Sequence, residues 1–146
     1  MRYRDSGEVH MDFHRTLNGT IKYLRENYGI EFLDQTFRRT ARSVYRSIWE
    51  DLQRGDPEQL VEHWQHYFER EGGEIEIERA GKEITMHVKK CPAIAYLKSW
   101  GIKPDPAFCR QTAVMNDAWS ENTPFEIMTE VTGEGECTQT IRRCEK

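Results

Sequence analysis

Residues 74–92, EIEIERAGKEITMHVKKCP, decide the fold class of this chain. Ile75 and Ile77 alternate with glutamates, and Ile84, Met86 and Val88 alternate with polar residues in the same way. A period of two puts successive side chains on opposite faces of a strand, so both segments are predicted to be half-buried strands. The segment between them contains a glycine and is predicted to be the turn of an antiparallel hairpin.

The sequence before this hairpin has the period of helices instead. Apolar residues recur at steps of three and four in the stretches 8–27, 33–52 and 60–68, and glycine follows each stretch, as is typical of helix ends. Asp56-Pro57-Glu58-Gln59 predicts the start of the third helix, with an N-cap, a proline at the first helical position and a capping-box glutamine. We therefore expect three N-terminal helices. The predicted buried stripes of the first two are Val9, Phe13, Leu17, Ile21 and Leu24, then Leu33, Phe37, Val44, Ile48 and Leu52.

Two more helices and a second hairpin are predicted after residue 91. Pro92 at a first helical position opens a short helix that Gly101 ends, and Asp105-Pro106 caps another helix that runs to about residue 121. The segments 125–131 and 137–143 then read as two strands around a glycine-containing turn. The predicted order is three helices, a hairpin, two helices and a hairpin.

This order predicts an α+β fold. We expect a four-stranded antiparallel sheet with helices on one face and an N-terminal helical layer packed alongside. The 146 residues are predicted to form one domain, with a helical part over 8–72 and a sheet-and-helix part over 73–143 that contains the candidate site.

Composition argues against several classes of partner. The net charge of −4 gives no basic surface for nucleic acid. The longest apolar run is far below the roughly 18 residues of a membrane span. Residues 1–5 lead into polar sequence rather than a signal peptide, so we expect a cytoplasmic protein. In a reducing cytosol the four cysteines are expected to stay free or to bind metal.

Cys91 has the strongest physical argument for a functional role. It directly precedes Pro92, so it is the predicted N-cap of a helix, where its sulfur would face unpaired backbone N–H groups and the positive end of the helix dipole. Lys89 and Lys90 add positive potential, and each of these effects favours the thiolate. The alternative is a small residue that fills a tight turn between a strand and a helix.

Cys109 and Cys137 are weaker candidates on the residues alone. Cys109 is predicted in the first turn of a helix, where Asn116 shares its face at i+7, an arrangement that suits either a pocket wall or the edge of a core. Cys137 begins the last predicted strand, where a single cysteine usually packs. Cys144 follows the strand pattern among charged residues and is expected to be exposed and without a role.

A shared metal site is one hypothesis for Cys91, Cys109 and Cys137. The three thiols could bind zinc with a fourth position left for water or histidine, or hold a [4Fe–4S] cluster with one iron open to substrate. Their spacing matches neither a zinc ribbon nor a C-x-x-C pair, and a metal-free pocket lined by thiols is the third alternative.

The first helix offers a candidate base. His10 and His14 share a face at i,i+4, but the glutamate of the H-E-x-x-H zinc motif is missing. His14 lies beside the predicted buried stripe and could act as a general base, because imidazole titrates close to neutral pH. Packing between helices is the alternative role for this residue.

These motifs, in this order, resemble the L-2-amino-thiazoline-4-carboxylic acid hydrolase family. The resemblance covers about residues 10–143 and is strongest from Lys90 onward. It implies an enzyme that opens a cyclic thiazoline carboxylate with water to give a carbamoyl-cysteine, so that the partner would be a small-molecule carboxylate. The matching residues, and the site that the resemblance implies, are Cys91, Cys109 and Cys137, with Asn116 as an orienting donor and His14 as a candidate base.

The last elements also resemble the 4-vinyl-reductase-type ligand-binding domain, in which late cysteines bind zinc and the pocket senses small molecules. The likeness lies in the helices followed by a hairpin with a glycine turn and a cysteine. It implies a small-molecule binding or sensor module without turnover. A structural or chaperone-like protein with incidental thiols is a third class, and a homo-oligomer is compatible with each of the three.

Overall fold

A computed structural model describes Gly7 and residues 9–144, and this part of the chain contains six helices and four strands. Glu8, the predicted start of the first helix, lies outside the described residues. The α+β class and the four-stranded antiparallel sheet are confirmed. The elements are α1 (Phe13–Tyr28), α2 (Ile30–Ser43), α3 (Arg46–Gln53), α4 (Glu58–Arg70), β1 (Glu74–Ala80), β2 (Glu83–Lys90), α5 (Pro92–Ser99), α6 (Arg110–Ser120), β3 (Phe125–Gly133) and β4 (Glu136–Arg143).

The two hairpins join through their second strands, so that the sheet order is β1-β2-β4-β3. Ile84, Met86 and Val88 are buried on β2, while the residues between them are partly exposed, which is the alternation of a sheet covered on one face. In the β2–β4 register Val88 lies opposite Cys137, and Met86 lies opposite Gln139. The register therefore brings Cys137 close to the end of β2, where Cys91 follows.

The N-terminal layer has four helices, so the prediction of three is wrong. The stretch predicted as one helix over 33–52 bends at Tyr45, whose backbone leaves the helical region (φ −102°, ψ 31°) between α2 and α3. The Tyr45 ring packs against the rings of Trp119 and His63, at centroid distances of 6.0 and 5.1 Å. Because of this bend, Val44 is 67% exposed instead of lying on the buried stripe, while Ile48 is fully buried in α3.

The first helix is rotated relative to the predicted stripe. His14, Asn18 and Ile21 are buried in α1, whereas Phe13 is 56% exposed. We attribute this rotation to hydrogen bonds between polar side chains of α1 and other parts of the chain. The Asn18 Oδ1 atom accepts a hydrogen bond of 2.8 Å from the backbone amide of Asp105, in the loop between α5 and α6. A helical periodicity alone does not indicate that a polar residue faces inward in this way.

Asp105 caps a turn rather than the helix itself, so α6 begins later than predicted. Its Oδ1 accepts the backbone N–H of Ala107 at 2.9 Å, and Arg25 of α1 donates to both carboxylate oxygens at 3.0 and 2.8 Å. Hydrogen bonding to the Arg25 guanidinium lowers the pKa of Asp105. The helix follows at Arg110, which makes Cys109 its N-cap residue instead of a member of its first turn.

Candidate functional site

A cavity of about 360 Å³ lies between the helices and the buried face of the sheet. We call it the main cavity. Residues from α1, α2, α4, α5, α6 and strands β2, β3 and β4 form its wall, which is mostly apolar and includes the rings of Trp64, Tyr67 and Trp119. This size and this character are typical of pockets for small organic molecules.

The structure brings the three candidate thiols together on this wall. Cys91, Cys109 and Cys137 all line the main cavity, and so does Asn116. A hydrogen bond of 2.8 Å from the Cys91 amide to the Gly135 carbonyl ties the start of α5 to the β3–β4 turn. Residues separated by up to 46 positions in the sequence therefore share one surface.

The thiols are held in their protonated form. Burial raises the pKa of Cys91 and of Cys109, and it raises the pKa of Cys137 to about 12. The amides of Ala93 and Ile94 lower the pKa of Cys91, as expected for an N-cap, but burial outweighs them. The sequence-based expectation of a Cys91 thiolate is therefore wrong, because the position that supplies the amides also removes the sulfur from water.

The lysines predicted to activate Cys91 point to different partners. Together with Lys98 and Cys91 they line a second, smaller cavity of about 140 Å³, which shares Cys91 with the main cavity. Among the described wall residues of the main cavity there is no lysine or arginine. Each lysine of the smaller cavity approaches a glutamate: Lys89 with Glu76 at 3.3 Å, Lys90 with Glu74 at 3.6 Å and Lys98 with Glu134 at 2.9 Å.

We expect the thiols of the main cavity to react slowly with iodoacetamide near neutral pH. The thiolate is the nucleophile, so a raised pKa lowers the reactive fraction. Cys144 is exposed and should be alkylated first. A time course followed by mass spectrometry of the digested protein measures each rate. Alkylation of Cys91 as fast as that of Cys144 would contradict the protonation derived from its burial.

The residues on the wall do not fit the predicted metal sites. Within the described part of the chain, no group of three or more histidine, cysteine, aspartate or glutamate side chains is arranged to hold a metal ion. Cys91, Cys109 and Cys137 line one cavity, but among the described residues they do not form a group that could hold a metal ion. The same donor set is needed for the iron–sulfur alternative, so neither zinc nor a cluster is supported.

A buried polar network crosses one side of the main cavity. Asn116 is 1% exposed, and its Nδ2 atom donates to Thr129 Oγ1 and to Gln139 Oε1, both at 2.8 Å. The Gln139 side chain is itself 3% exposed, and against the effect of burial it lowers the pKa of the neighbouring Cys137 thiol. Both N–H groups of Asn116 are therefore used within the protein. The role of an orienting donor, which the family resemblance implied for Asn116, would require one of these bonds to break.

His14 lies behind the wall instead of on it. It is 1% exposed, and its Nε2 atom is 2.7 Å from Glu71 Oε2. Its Nδ1 atom has no hydrogen-bond partner among the described residues. The Tyr67 ring lines the main cavity, and burial, together with the nearby Glu71 carboxylate, raises the pKa of this tyrosine. A base at His14 would therefore have no direct contact with the cavity, because its hydrogen-bond partner is Glu71 and neither residue lines the wall.

The sequence analysis missed several wall residues. Burial lowers the pKa of His63 to about 4, with a contribution from His66, so His63 is neutral near pH 7. The sequence holds no spacing signal that would link Tyr67 or His63 to the cysteines. A signal does exist for Thr129 and Gln139, because polar residues at inward strand positions usually have hydrogen-bond partners.

No family model matches the chain, and no curated protein matches it. The resemblances inferred from its motifs therefore stay predictions. None of the described helices is long and apolar enough to cross a membrane.

Proposed function

We propose that this chain binds a small, uncharged and largely apolar molecule in the main cavity, as a binding or sensor module. The supporting observation is a mostly apolar space of about 360 Å³ with a buried amide network on its wall. A carboxylate ligand is less well supported, because the described wall offers no lysine or arginine. An ion buried without a partner is strongly disfavoured.

Several features favour binding without turnover. A general base must lie within hydrogen-bond reach of the water that it activates. His14 lies behind the wall, His63 is neutral and the three thiols are protonated. Among the described wall residues Glu136 carries a carboxylate, and it is exposed at the start of β4. This set of groups suits recognition better than proton abstraction.

Calorimetric titration with indole tests the binding proposal. Indole is small, uncharged and aromatic, and we expect it to bind the wild-type protein. Cys109→Phe should weaken binding at least about tenfold, equivalent to roughly 1.4 kcal/mol, because the new ring occupies the main cavity. Cys144→Phe is the matched control, since Cys144 is exposed, and it should bind as the wild type does. Wild-type protein that binds no indole, or equal binding by Cys109→Phe, would reject the proposal.

Hydrolysis of a thiazoline carboxylate is the second candidate function. Cys91 favours it, since this residue lies at a helix N-terminus and borders both cavities. A substrate carboxylate would approach Lys89, Lys90 and Lys98 in the smaller cavity. Water would add to the ring carbon between nitrogen and sulfur, the bond from this carbon to one of the two would break, and the leaving atom would take a proton. The protonated Cys91 thiol is placed to supply this proton and would regain one from the added water.

Turnover is measured by incubation with 2-aminothiazoline-4-carboxylate and mass detection of a product that has gained one water. If the chain is a hydrolase, Cys91→Ala and Asn116→Ala should lose most of the activity, while Cys144→Ala should keep it. Unchanged activity in both cavity variants would reject this site. Binding of indole by wild-type protein that shows no turnover would reject the hydrolase and retain the binding module.

A further inference from the structure

The side-chain oxygen of Asn116 takes no part in the hydrogen-bond network described above. A side-chain amide has two N–H donors and one carbonyl acceptor. Both donors are taken, by Thr129 and Gln139. No described residue donates a hydrogen bond to the Oδ1 atom, which is not one of the fully enclosed polar atoms without a partner and is therefore open to the cavity. Asn116 is only 1% exposed, and it lines the main cavity. An acceptor without a partner is thus held at the wall.

The two neighbours of Asn116 that accept its N–H groups define the orientation of its amide in the structure. If the Asn116 amide turned over alone, its oxygen would lie against Gln139 Oε1, and two acceptors would face each other at 2.8 Å. Gln139 is itself 3% exposed and accepts the Asn116 N–H group, which limits its movement. The network therefore keeps the Asn116 oxygen as the group that remains for a ligand.

We propose that the ligand of the main cavity carries an N–H or O–H group that donates a hydrogen bond to Asn116 Oδ1. This inference rests on the proposed binding function and narrows its ligand class. The class consists of uncharged aromatic or alicyclic compounds with one donor, such as alcohols, phenols and N–H heterocycles. A buried acceptor that a ligand leaves unpaired loses its hydrogen bonds to water without replacement, so compounds of the same shape without a donor bind more weakly.

The carboxylate form of the same ligand is excluded by two features of the wall. It has no lysine or arginine among its described residues, and the polar atom left over at Asn116 is an oxygen, which repels a second oxygen carrying negative charge. An anion would thus lose its hydration without gaining a donor. Donor number and charge together define the selectivity that the structure assigns to this site.

Indole and benzofuran test this selectivity, because they have nearly the same shape and differ in an N–H group replaced by an oxygen. In calorimetric titrations of the full chain we expect indole to bind at least about tenfold more tightly than benzofuran, a difference of roughly 1.4 kcal/mol. Indole-3-carboxylate should bind more weakly than either. Equal or tighter binding of benzofuran by wild-type protein would overturn the inference while leaving the binding function intact.

Two variants locate the preference. Asn116→Leu removes the oxygen and should bring the ratio of the two affinities close to one, with benzofuran still bound. Thr129→Val removes one partner of Asn116, leaves the bond to Gln139 and should keep the preference for indole. A preference that persists in Asn116→Leu would overturn the assignment to this residue. If wild-type protein binds neither indole nor benzofuran, the proposed function itself fails, which is a different result from a lost preference. The wild-type comparison stands even if Asn116→Leu does not fold.

Discussion

Met86→Ala is expected to lower the free energy of unfolding by about 2–5 kcal/mol. Met86 is fully buried on β2, one of the two central strands, and it belongs to the core between the sheet and the helices. Truncation removes apolar contacts and leaves a cavity that the neighbouring strands cannot close, because they are fixed by hydrogen bonds on both sides. Urea denaturation followed by circular dichroism measures the change.

Met128→Ala is the matched control for this measurement. Met128 lies on β3 and is 37% exposed, on the side of the strand opposite the buried Ile127. We expect this substitution to change stability by no more than about 0.5 kcal/mol. A register shift of one residue exchanges the two faces of a strand. Equal costs for the two substitutions would therefore contradict the assignment of the faces of the sheet.

Glu71→Ala is expected to cost about 1–3 kcal/mol, the penalty for leaving a buried polar group without its partner. Glu71 follows α4 and connects that helix to α1 through His14. Its removal leaves both ring nitrogens of His14 without a partner among the described residues. Glu69 is exposed on α4, and Glu69→Ala should have little effect on the free energy of unfolding.

A double-mutant cycle measures the interaction energy between His14 and Glu71 apart from their contacts with other residues. His14→Leu combined with Glu71→Leu replaces both polar groups by apolar ones, and we expect the double variant to be more stable than the sum of the single effects indicates. The physical reason is that each single variant leaves one polar side chain without its hydrogen-bond partner. Strictly additive free energies from urea denaturation would show that His14 and Glu71 do not interact in solution.

The sequence predicted the sheet well because its determinants are local. The period of two over 75–88 and the glycine-containing turns are read within short windows, and the observed hairpins agree with them. The break at Tyr45 and the rotation of α1 have distant causes. Tyr45 packs on Trp119, and Asn18 bonds to Asp105, 87 positions away. Contacts between residues so far apart in sequence do not change its local periodicity, so a pattern of apolar residues cannot predict them.

The residues and the chemistry of the candidate site were harder to infer from the sequence than the sheet. The three cysteines and Asn116 line one cavity, whereas His14 does not. Their protonation depends on burial, which is a property of the assembled fold. The pair of His14 and Glu71 joins residues 57 positions apart, a spacing that matches no motif.

The central claim is that the main cavity holds a small molecule, and methionine-methyl NMR tests it most directly. With ¹³C-methyl methionine, a saturating amount of indole should shift the Met115 resonance and give cross-relaxation between its methyl group and the indole protons, because Met115 lines the main cavity. Met128, exposed on the other side of the sheet, should not change. An unchanged Met115 resonance at saturation, or a shift confined to Met128, would contradict the account.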